Sequence, residues 1–165
     1  MSGVRIRPAT LDDAATIRAI YNHEVQRETS TFDLVPRTLQ DQRDWLAARS
    51  GAFSAIVAVD DAGDVVGFAS LSPYKERAAY RTTVEDSVYV DRTRSATGIG
   101  TALLTHLVEA ARSSGFHAVI ARIEASSAAS RALHAKCGFD LVGIEREVGR
   151  KFNRWLDVAV MQAML

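Results

Sequence analysis

The chain has 165 residues, of which 47% are hydrophobic and 24% are charged, so it has enough apolar material for one compact domain and too little length for two ordinary ones. Twenty basic residues balance twenty acidic ones, and this balance gives no reason to expect nucleic acid or an anionic membrane as the partner. No apolar run approaches the roughly 20 residues that cross a bilayer, and the N-terminus lacks the pattern of a secretion signal, so we expect a cytoplasmic protein. Cys137 is the only cysteine, which excludes an internal disulfide, and its spacing to the four histidines does not fit a metal site.

The first part of the chain predicts a strand and two helices. Residues 4–7 alternate as a half-buried strand, and Thr10 with Asp13 resembles a capping box that opens a helix. The aperiodic polar residues 28–32 indicate a loop. A second capping pattern, with apolar residues at helical spacing after it, predicts a helix over residues 38–50.

The next part predicts a hairpin and a charged loop. Residues 53–59 and 65–71 are rich in strand-forming side chains, and the turn residues 60–64 between them predict that these two strands are antiparallel. Residues 72–83 carry several charged and aromatic side chains without a period, which indicates an exposed loop. Such a loop can hold an acidic ligand or can be an ordinary solvated connection, and composition alone leaves both open.

The middle of the chain reads as a strand, a polar turn and a helix. Residues 84–90 are typical of a strand, and residues 98–114 have the apolar period of a helix. Alternation along the strand places Glu85, Ser87 and Tyr89 on one face and the valines on the opposite face.

The start of that helix has the features of an anion-binding site. Unpaired N–H groups and the positive end of the helix dipole point out of the turn, and Gly98 and Gly100 let a ligand approach the backbone. Arg92 and Arg94 add positive charge beside the turn. Two glycines also suit a plain strand-to-helix connection, and a single Gly-x-Gly pattern is weak evidence.

The remaining residues complete an alternating pattern. Residues 117–123 form a nearly unbroken apolar strand, residues 127–136 a fourth helix, and residues 139–147 and 155–164 two further strands. The order β-α-α-β-β-β-α-β-α-β-β predicts a single α/β domain over the whole chain, with a mixed central sheet flanked by about four helices.

These motifs together resemble the GCN5-related N-acetyltransferase (GNAT) superfamily, and within it the phosphinothricin and methionine sulfoximine acetyltransferases. The resemblance covers the whole chain and is carried by residues 6–10, 19–22, 73–77, 83–90, 133–134, 138–139 and 148–157. It implies the GNAT fold and an enzyme that transfers the acetyl group of acetyl-CoA directly to the α-amine of a small amino-acid analogue. It also implies a two-fold homodimer.

The resemblance implies that acetyl-CoA lies along the central strand and at the start of the third helix. Ser95 stands where the superfamily usually has Gln or Arg, Ala96 where a further glycine is common, and Ser127 where relatives often carry Asn. Backbone N–H groups can still meet the pyrophosphate, and Arg94 can supply charge. The residues assigned to the cofactor are Val88, Tyr89, Val90, Arg94, Ser95, Ala96, Thr97, Gly98, Ile99, Gly100, Thr101 and Ser127.

The resemblance also places a glutamate at Glu85, our candidate for the base that accepts the proton of the attacking amine, directly or through a water. A backbone N–H near Val88 would hold the carbonyl oxygen. His134 stands where many members carry a tyrosine, and it can protonate the thiolate or position the substrate. A solvent-facing glutamate and a packed helix histidine are the structural alternatives. Cys137 would be the nucleophile of a rival two-step mechanism, but no histidine and acid pair is identifiable around it.

For the substrate we predict a pocket with cations from the charged loop, because the planar guanidinium binds carboxylate, phosphinate or sulfoximine oxygens at two points. Two other functions stay open: acetylation of a protein N-terminus or lysine, and CoA binding without catalysis. The cationic loop and the balanced charge favour a small acidic substrate over a protein. The residues assigned to the substrate are Thr31, Phe32, Lys75, Glu76, Arg77, Arg81, Glu85, Asp86 and Ser87.

Overall fold

The computed structural model describes residues 3–94 and 98–165, and within them it shows seven strands and four α-helices. The strands form one sheet in the order β1-β2-β3-β4-β5-β7-β6. No helix in these two ranges combines the length and the hydropathy needed to cross a bilayer. The strands are β1 (Arg5–Pro8), β2 (Ile56–Val59), β3 (Val65–Pro73), β4 (Thr83–Val90), β5 (Ala118–Glu124), β6 (Asp140–Lys151) and β7 (Arg154–Met164). The helices are α1 (Ala14–Arg27), α2 (Leu39–Ala47), α3 (Ile99–Ser113) and α4 (Ala128–Lys136).

The predicted order of elements and the mixed sheet are confirmed, and a few boundaries differ. The second helix, α2, ends at Ala47, earlier than predicted. The strand β2 begins at Ile56 rather than at residue 53, because Gly51–Phe53 form a 3-10 turn. The strand β6 continues to Lys151, past its predicted end. A bulge in β6 holds Glu147 in the left-handed region (φ 53°), and pairing with β7 resumes after it.

The pairing of β4 with β5 is short, and this shapes the site. Within the described residues their parallel pairing joins residues 83–85 of β4 to residues 118–120 of β5. Beyond this point β4 continues beside β3 to Val90, and β5 continues beside β7 to Glu124. The two strands therefore separate in the middle of the sheet, and a wedge-shaped opening lies between their C-terminal halves.

Helices cover both faces of the sheet. The helix α3 packs on one face, where its leucines share a core cluster with valines of β4 and β5, and α1 and α2 pack on the other face around Phe68 of β3. Val88 and Val90 lie on the α3 side and Tyr89 on the α1 side, as the alternation along β4 predicts. The fully buried leucines of α3 are Leu103 and Leu104, and Leu107 is nearly so. Both ends of β4 are thereby held in a packed layer.

Both predicted capping boxes are present and fix the start of a helix. In α2, Thr38 Oγ1 accepts from the Asp41 N–H at 3.0 Å, and the Thr38 N–H donates to Asp41 Oδ2 at 2.9 Å. Before α1, the Thr10 N–H donates to Asp13 Oδ2 at 2.8 Å. Arg7 of β1 also donates to both oxygens of Asp13 at 2.8 Å, so this carboxylate ties the first strand to the first helix.

Candidate active site

A cavity of about 270 Å³ occupies the opening between β4 and β5. One wall is the β4 segment 85–89, the other is the β5 segment 121–124, and α4 closes one side through Ser127, Ser130 and His134. The loop after α1 contributes residues 30–32. The predicted residues Thr31, Phe32, Glu85, Asp86, Ser87, Val88, Tyr89, Ser127 and His134 are therefore brought together here.

Glu85 is the last residue of β4 that pairs with β5, and the two strands separate after it. Its half-buried carboxylate faces the guanidinium of Arg122, with 3.9 Å between Glu85 Oε1 and Arg122 Nε. Burial raises the pKa of Glu85 above its ordinary value, Arg122 opposes that rise, and Asp86 adds to it. A carboxylate with a raised pKa in a cavity is suited to accept a proton from a bound amine.

Asp86 and His134 form a buried pair beside Glu85. His134 Nε2 lies 2.7 Å from Asp86 Oδ2, and His134 Nδ1 lies 2.8 Å from the carbonyl oxygen of Ser130. A carbonyl only accepts, so Nδ1 carries a hydrogen, and the contact with Asp86 requires one more proton between Nε2 and the carboxylate. Burial disfavours the charged ring, but the hydrogen bond and charge of Asp86 outweigh it and raise the pKa of His134.

This arrangement limits what His134 can do directly. Both ring nitrogens are held by protein atoms, so neither is directed at a substrate or a leaving thiolate. The second oxygen of Asp86, Oδ1, is buried and has no hydrogen-bond partner among the described residues. Asp86 and His134 both line the cavity, so the proton that they share is held at its wall. Whether His134 acts in catalysis stays a prediction.

The loop after α1 is held in place by the hairpin of β6 and β7. Lys151 Nζ, which is buried, donates to the carbonyl oxygens of Thr31 at 2.8 Å and Glu24 at 3.2 Å. The Phe32 ring packs on the backbone of Gly149, where any side chain would collide with it. Thr31 Oγ1 is 3.0 Å from the hydroxyl of Tyr21. The edge of the cavity is thus built from contacts between distant parts of the chain.

A second cleft, of about 470 Å³, runs from this cavity to the start of α3. Val88, Tyr89, Ser127 and Ser130 line both spaces, so the two adjoin. The cleft is also lined by the predicted cofactor residues Val90, Gly98, Gly100 and Thr101. The side chain of Ile99 is buried in the core, which leaves only its backbone for a ligand. The predicted residues Ser95, Ala96 and Thr97 lie outside the described residues.

Two glycines shape the start of α3. Gly98 has φ 77°, a left-handed conformation that side-chain-bearing residues rarely adopt. At Gly100 a Cβ would lie 3.1 Å from Leu133 Cδ2 on α4, so the missing side chain keeps the cleft between α3 and α4 open. Arg94 pairs with Asp60 at 2.6 Å, and Arg92 donates to both oxygens of the Glu24 carboxylate at 2.9 Å. Arg92 lines the cleft, and part of its charge is already balanced.

The charged loop before β4 is not at the cavity. Among the described residues that line it, none comes from residues 74–82, because that loop enters β4 at the end where β4 and β5 are still paired. Lys75 Nζ lies over the rings of Tyr74 and Tyr80, at 5.0 and 5.3 Å. The assignment of Lys75, Glu76, Arg77 and Arg81 to the substrate stays a prediction.

Two residues that shape the site are not among the predicted site residues, although Lys151 belongs to the stretch 148–157 that carries the family resemblance. Arg122 lines the cavity from β5. The feature of the sequence that could have indicated its role is that it is a single charged residue inside the apolar run before Glu124. Lys151 is buried beneath the loop after α1, and burial lowers its pKa. Its sequence neighbourhood is polar and gives no sign of burial. Within the described residues, no cluster of His, Cys, Asp and Glu side chains could hold a metal ion.

Known proteins and solved structures resemble this chain over nearly its whole length. A methionine sulfoximine and methionine sulfone acetyltransferase from Pseudomonas paraeruginosa is 40% identical over 161 residues, which cover 97% of this chain and 94% of that protein. The crystal structure of a ribosomal-protein-alanine N-acetyltransferase from Brucella melitensis has a TM-score of 0.94 at 40% identity, covering 98% of this chain and 99% of that chain. A GNAT superfamily phosphinothricin acetyltransferase from Sinorhizobium meliloti, solved in complex with acetyl-CoA, has a TM-score of 0.94 at 36% identity, covering 98% of this chain and 88% of that chain.

The family assignment follows from these matches and from the fold. The family described as the acetyltransferase (GNAT) domain matches residues 6–160, which is nearly the whole chain. The separated central strands and the glycine turn that opens α3 lie inside this range. The chain belongs to the GNAT acetyltransferase family.

Proposed function

We propose that this chain transfers the acetyl group of acetyl-CoA directly to the α-amine of a small amino acid of the methionine sulfoximine, methionine sulfone or phosphinothricin type. The observation that carries the proposal is the position of Glu85, a half-buried carboxylate that lines the cavity adjoining the cleft from α3. The names of the relatives support the substrate class. We also propose that the enzyme works in the cytoplasm and that it detoxifies antibiotic or herbicide compounds of this type.

Several features of the cleft support acetyl-CoA as the cosubstrate. The first turn of α3 offers unpaired N–H groups to a pyrophosphate, and Gly98 and Gly100 keep side chains away from them. Beyond Glu85, β4 is no longer paired with β5 in the described residues, so its backbone is available to an extended arm. When bound, the cosubstrate supplies a thioester whose acetyl carbon accepts the amine. Val88, Val90 and Leu133 give the cleft an apolar lining.

The residues of this chain would divide the proton transfers between them. Glu85 accepts a proton from the substrate amine, directly or through a water, so that a neutral nitrogen can attack the acetyl carbon. A backbone N–H near Val88 donates to the carbonyl oxygen as negative charge develops there. The pair of Asp86 and His134 holds a proton that can pass to the sulfur as the carbon–sulfur bond breaks. No covalent step through Cys137 is needed.

We also propose that the protein is a homodimer. The support is the outer strand β6, which lies at the edge of the sheet and exposes large apolar side chains. Light scattering should give twice the chain mass of 18.0 kDa. Val142→Lys should lower that mass, whereas Leu34→Lys, at an exposed position outside β6, should leave it unchanged. The exposed apolar residues on β6 and its hairpin are Leu141, Val142, Ile144, Val148, Phe152 and Trp155.

A thiol-release assay with a panel of amines tests the proposed function. We expect turnover with methionine sulfoximine, methionine sulfone or phosphinothricin, and a 100- to 10,000-fold lower kcat in Glu85→Gln, about what loss of a general base gives. Glu109→Gln, on the exposed side of α3, is the matched control and should keep full activity. Turnover with alanine-terminated peptides alone would favour protein N-terminal acetylation, the activity named for the Brucella melitensis structure. Binding of acetyl-CoA without turnover of any amine would favour a CoA-binding module.

A further inference from the structure

An amino-acid substrate has a carboxylate, and the cavity has to offer a cation that can bind it. An α-amino acid carries its carboxylate one carbon away from the amine, so the amine nitrogen and the carboxylate carbon lie about 2.5 Å apart. A group that binds the carboxylate must therefore stand close to Glu85. Among the described residues that line the cavity, Arg122 is the only lysine or arginine.

Arg122 faces Glu85 without a hydrogen bond to it. The 3.9 Å between Arg122 Nε and Glu85 Oε1 is an ion-pair separation, longer than a hydrogen bond. Two opposite charges thus stand side by side in the cavity, and each keeps its hydrogen-bonding capacity. This spacing matches an amino acid that places its amine at the carboxylate and its carboxylate at the guanidinium.

The donors of Arg122 are available for a ligand. Glu145 Oε1 lies 2.6 Å from Arg122 Nη2, but the contact lacks hydrogen-bond alignment, and that oxygen has no donor among the described residues. A guanidinium has five N–H groups, and none of those on Arg122 is hydrogen-bonded to a described residue. Glu145 therefore pairs with Arg122 at Nη2 and holds its position, and the N–H groups that do not face Glu145 are left to bind a carboxylate.

The other acids of the cavity are already engaged. Asp86 is paired with His134 through Oδ2 at 2.7 Å, and its other oxygen, which has no partner among the described residues, is buried. Glu124 accepts hydrogen bonds from the backbone and hydroxyl of Ser126 and from Thr29 Oγ1. Glu85 is left as the carboxylate that can meet an amine, and Arg122 as the cation beside it.

We propose that Arg122 binds the α-carboxylate of the substrate while Glu85 takes the amine, so that the site selects free amino acids over their amides and over peptide N-termini. This inference rests on the proposed function and deepens it. An amide or a peptide has one neutral carbonyl oxygen in place of the carboxylate, so it accepts a single hydrogen bond from Arg122 and forms no ion pair with it. Acetylation of protein N-termini is then disfavoured by the same residue.

Steady-state kinetics with methionine sulfone and its α-carboxamide test the proposal. We expect the wild-type protein to prefer the acid over the amide by about 10- to 100-fold in kcat/KM, as loss of charged hydrogen bonds predicts. Arg122→Met should lower kcat/KM for the acid by a similar factor, mainly through KM, and should leave the amide nearly unchanged. Arg122→Lys should recover part of the preference, because lysine keeps the charge but not the planar fork.

Two further variants make the test specific. Arg112→Met removes an exposed arginine on α3 and should keep the wild-type ratio of acid to amide. Arg77→Met tests the predicted loop in the same way, and a loss of the ratio there but not in Arg122→Met would overturn the proposal. Equal losses for acid and amide in Arg122→Met, or a wild-type protein with no preference, would overturn it as well. Wild-type protein that acetylates neither compound nor any other amine would overturn the proposed function itself, and this inference with it.

Discussion

The pair of Asp86 and His134 makes a sharp prediction about stability and pH. In the Asp86→Asn variant, the amide nitrogen can donate to His134 Nε2, while His134 Nδ1 keeps its bond to Ser130. The contact is preserved in shape, but it changes from a charged hydrogen bond to a neutral one. The usual net values are about 1.5–3 kcal/mol for a hydrogen bond to a charged group and about 0.5–1.5 kcal/mol for a neutral one. We therefore expect the variant to lose about 1–2 kcal/mol where the wild-type histidine is charged.

The sign of the pH dependence follows from the raised pKa of His134. A raised pKa in the folded protein means that the charged pair stabilises fully below the unfolded value of about 6.5, and that this stabilisation is lost as pH rises through the folded value. The difference in unfolding free energy between wild type and Asp86→Asn should thus be largest near pH 5.5 and become smaller as the pH rises through the raised pKa of His134. The midpoint shift at the lower pH corresponds to about 2–8 °C in Tm.

Urea unfolding at pH 5.5, 7 and 9 measures this difference. Asp44→Asn is the matched control, because Asp44 is an exposed carboxylate on α2 that accepts a hydrogen bond from Gln40 and faces no histidine. The control should differ from wild type by a small and constant amount across this range. A difference for Asp86→Asn that stays constant with pH would refute the charged pair, and so would a variant that is least affected at low pH.

Three further predictions follow from the geometry. Burial raises the pKa of Glu85 and Arg122 opposes the rise, so the acid limb of the pH profile of kcat/KM should lie above the ordinary glutamate range. In Arg122→Met this limb should move to higher pH. A limb that does not move would show that it does not report the titration of Glu85. Asp13→Asn should lower the free energy of unfolding by about 1.5–3 kcal/mol in urea at pH 7, and equal stability of the two proteins there would contradict this prediction. Because Arg7 lowers the pKa of Asp13, the wild-type protein should lose this contribution as the pH falls from the ordinary aspartate pKa through the lowered one. Gly98→Ala should cost about 1 kcal/mol because of its left-handed backbone, and an unchanged unfolding midpoint would show that the turn adapts.

Most of the fold could be predicted because its signals are local. Helical spacing, turn residues and the capping pattern at Thr38 each act within a few residues, and the structure keeps the predicted order of elements. The faces of β4 were also predictable, since alternation alone places Tyr89 opposite Val88. The end of β6 was not, because the left-handed Glu147 in its bulge depends on pairing with β7.

The site was predictable only in part, because its contacts join residues far apart in the sequence. His134 meets Asp86 and Lys151 meets Thr31 through the register of separate strands and helices, which no local pattern encodes. For the charged loop, nearness in sequence and nearness in space differ. Arg77 is close to Glu85 along the chain, but the loop lies at the paired end of β4, away from the cavity.

A crystal structure with coenzyme A tests the central claim most directly. We expect the pyrophosphate to contact the N–H groups at the start of α3 beside Gly98 and Gly100, and the sulfur to reach the cavity between β4 and β5 within a few ångströms of Glu85. Coenzyme A bound elsewhere, or a sulfur separated from Glu85 by a closed wall of side chains, would contradict it.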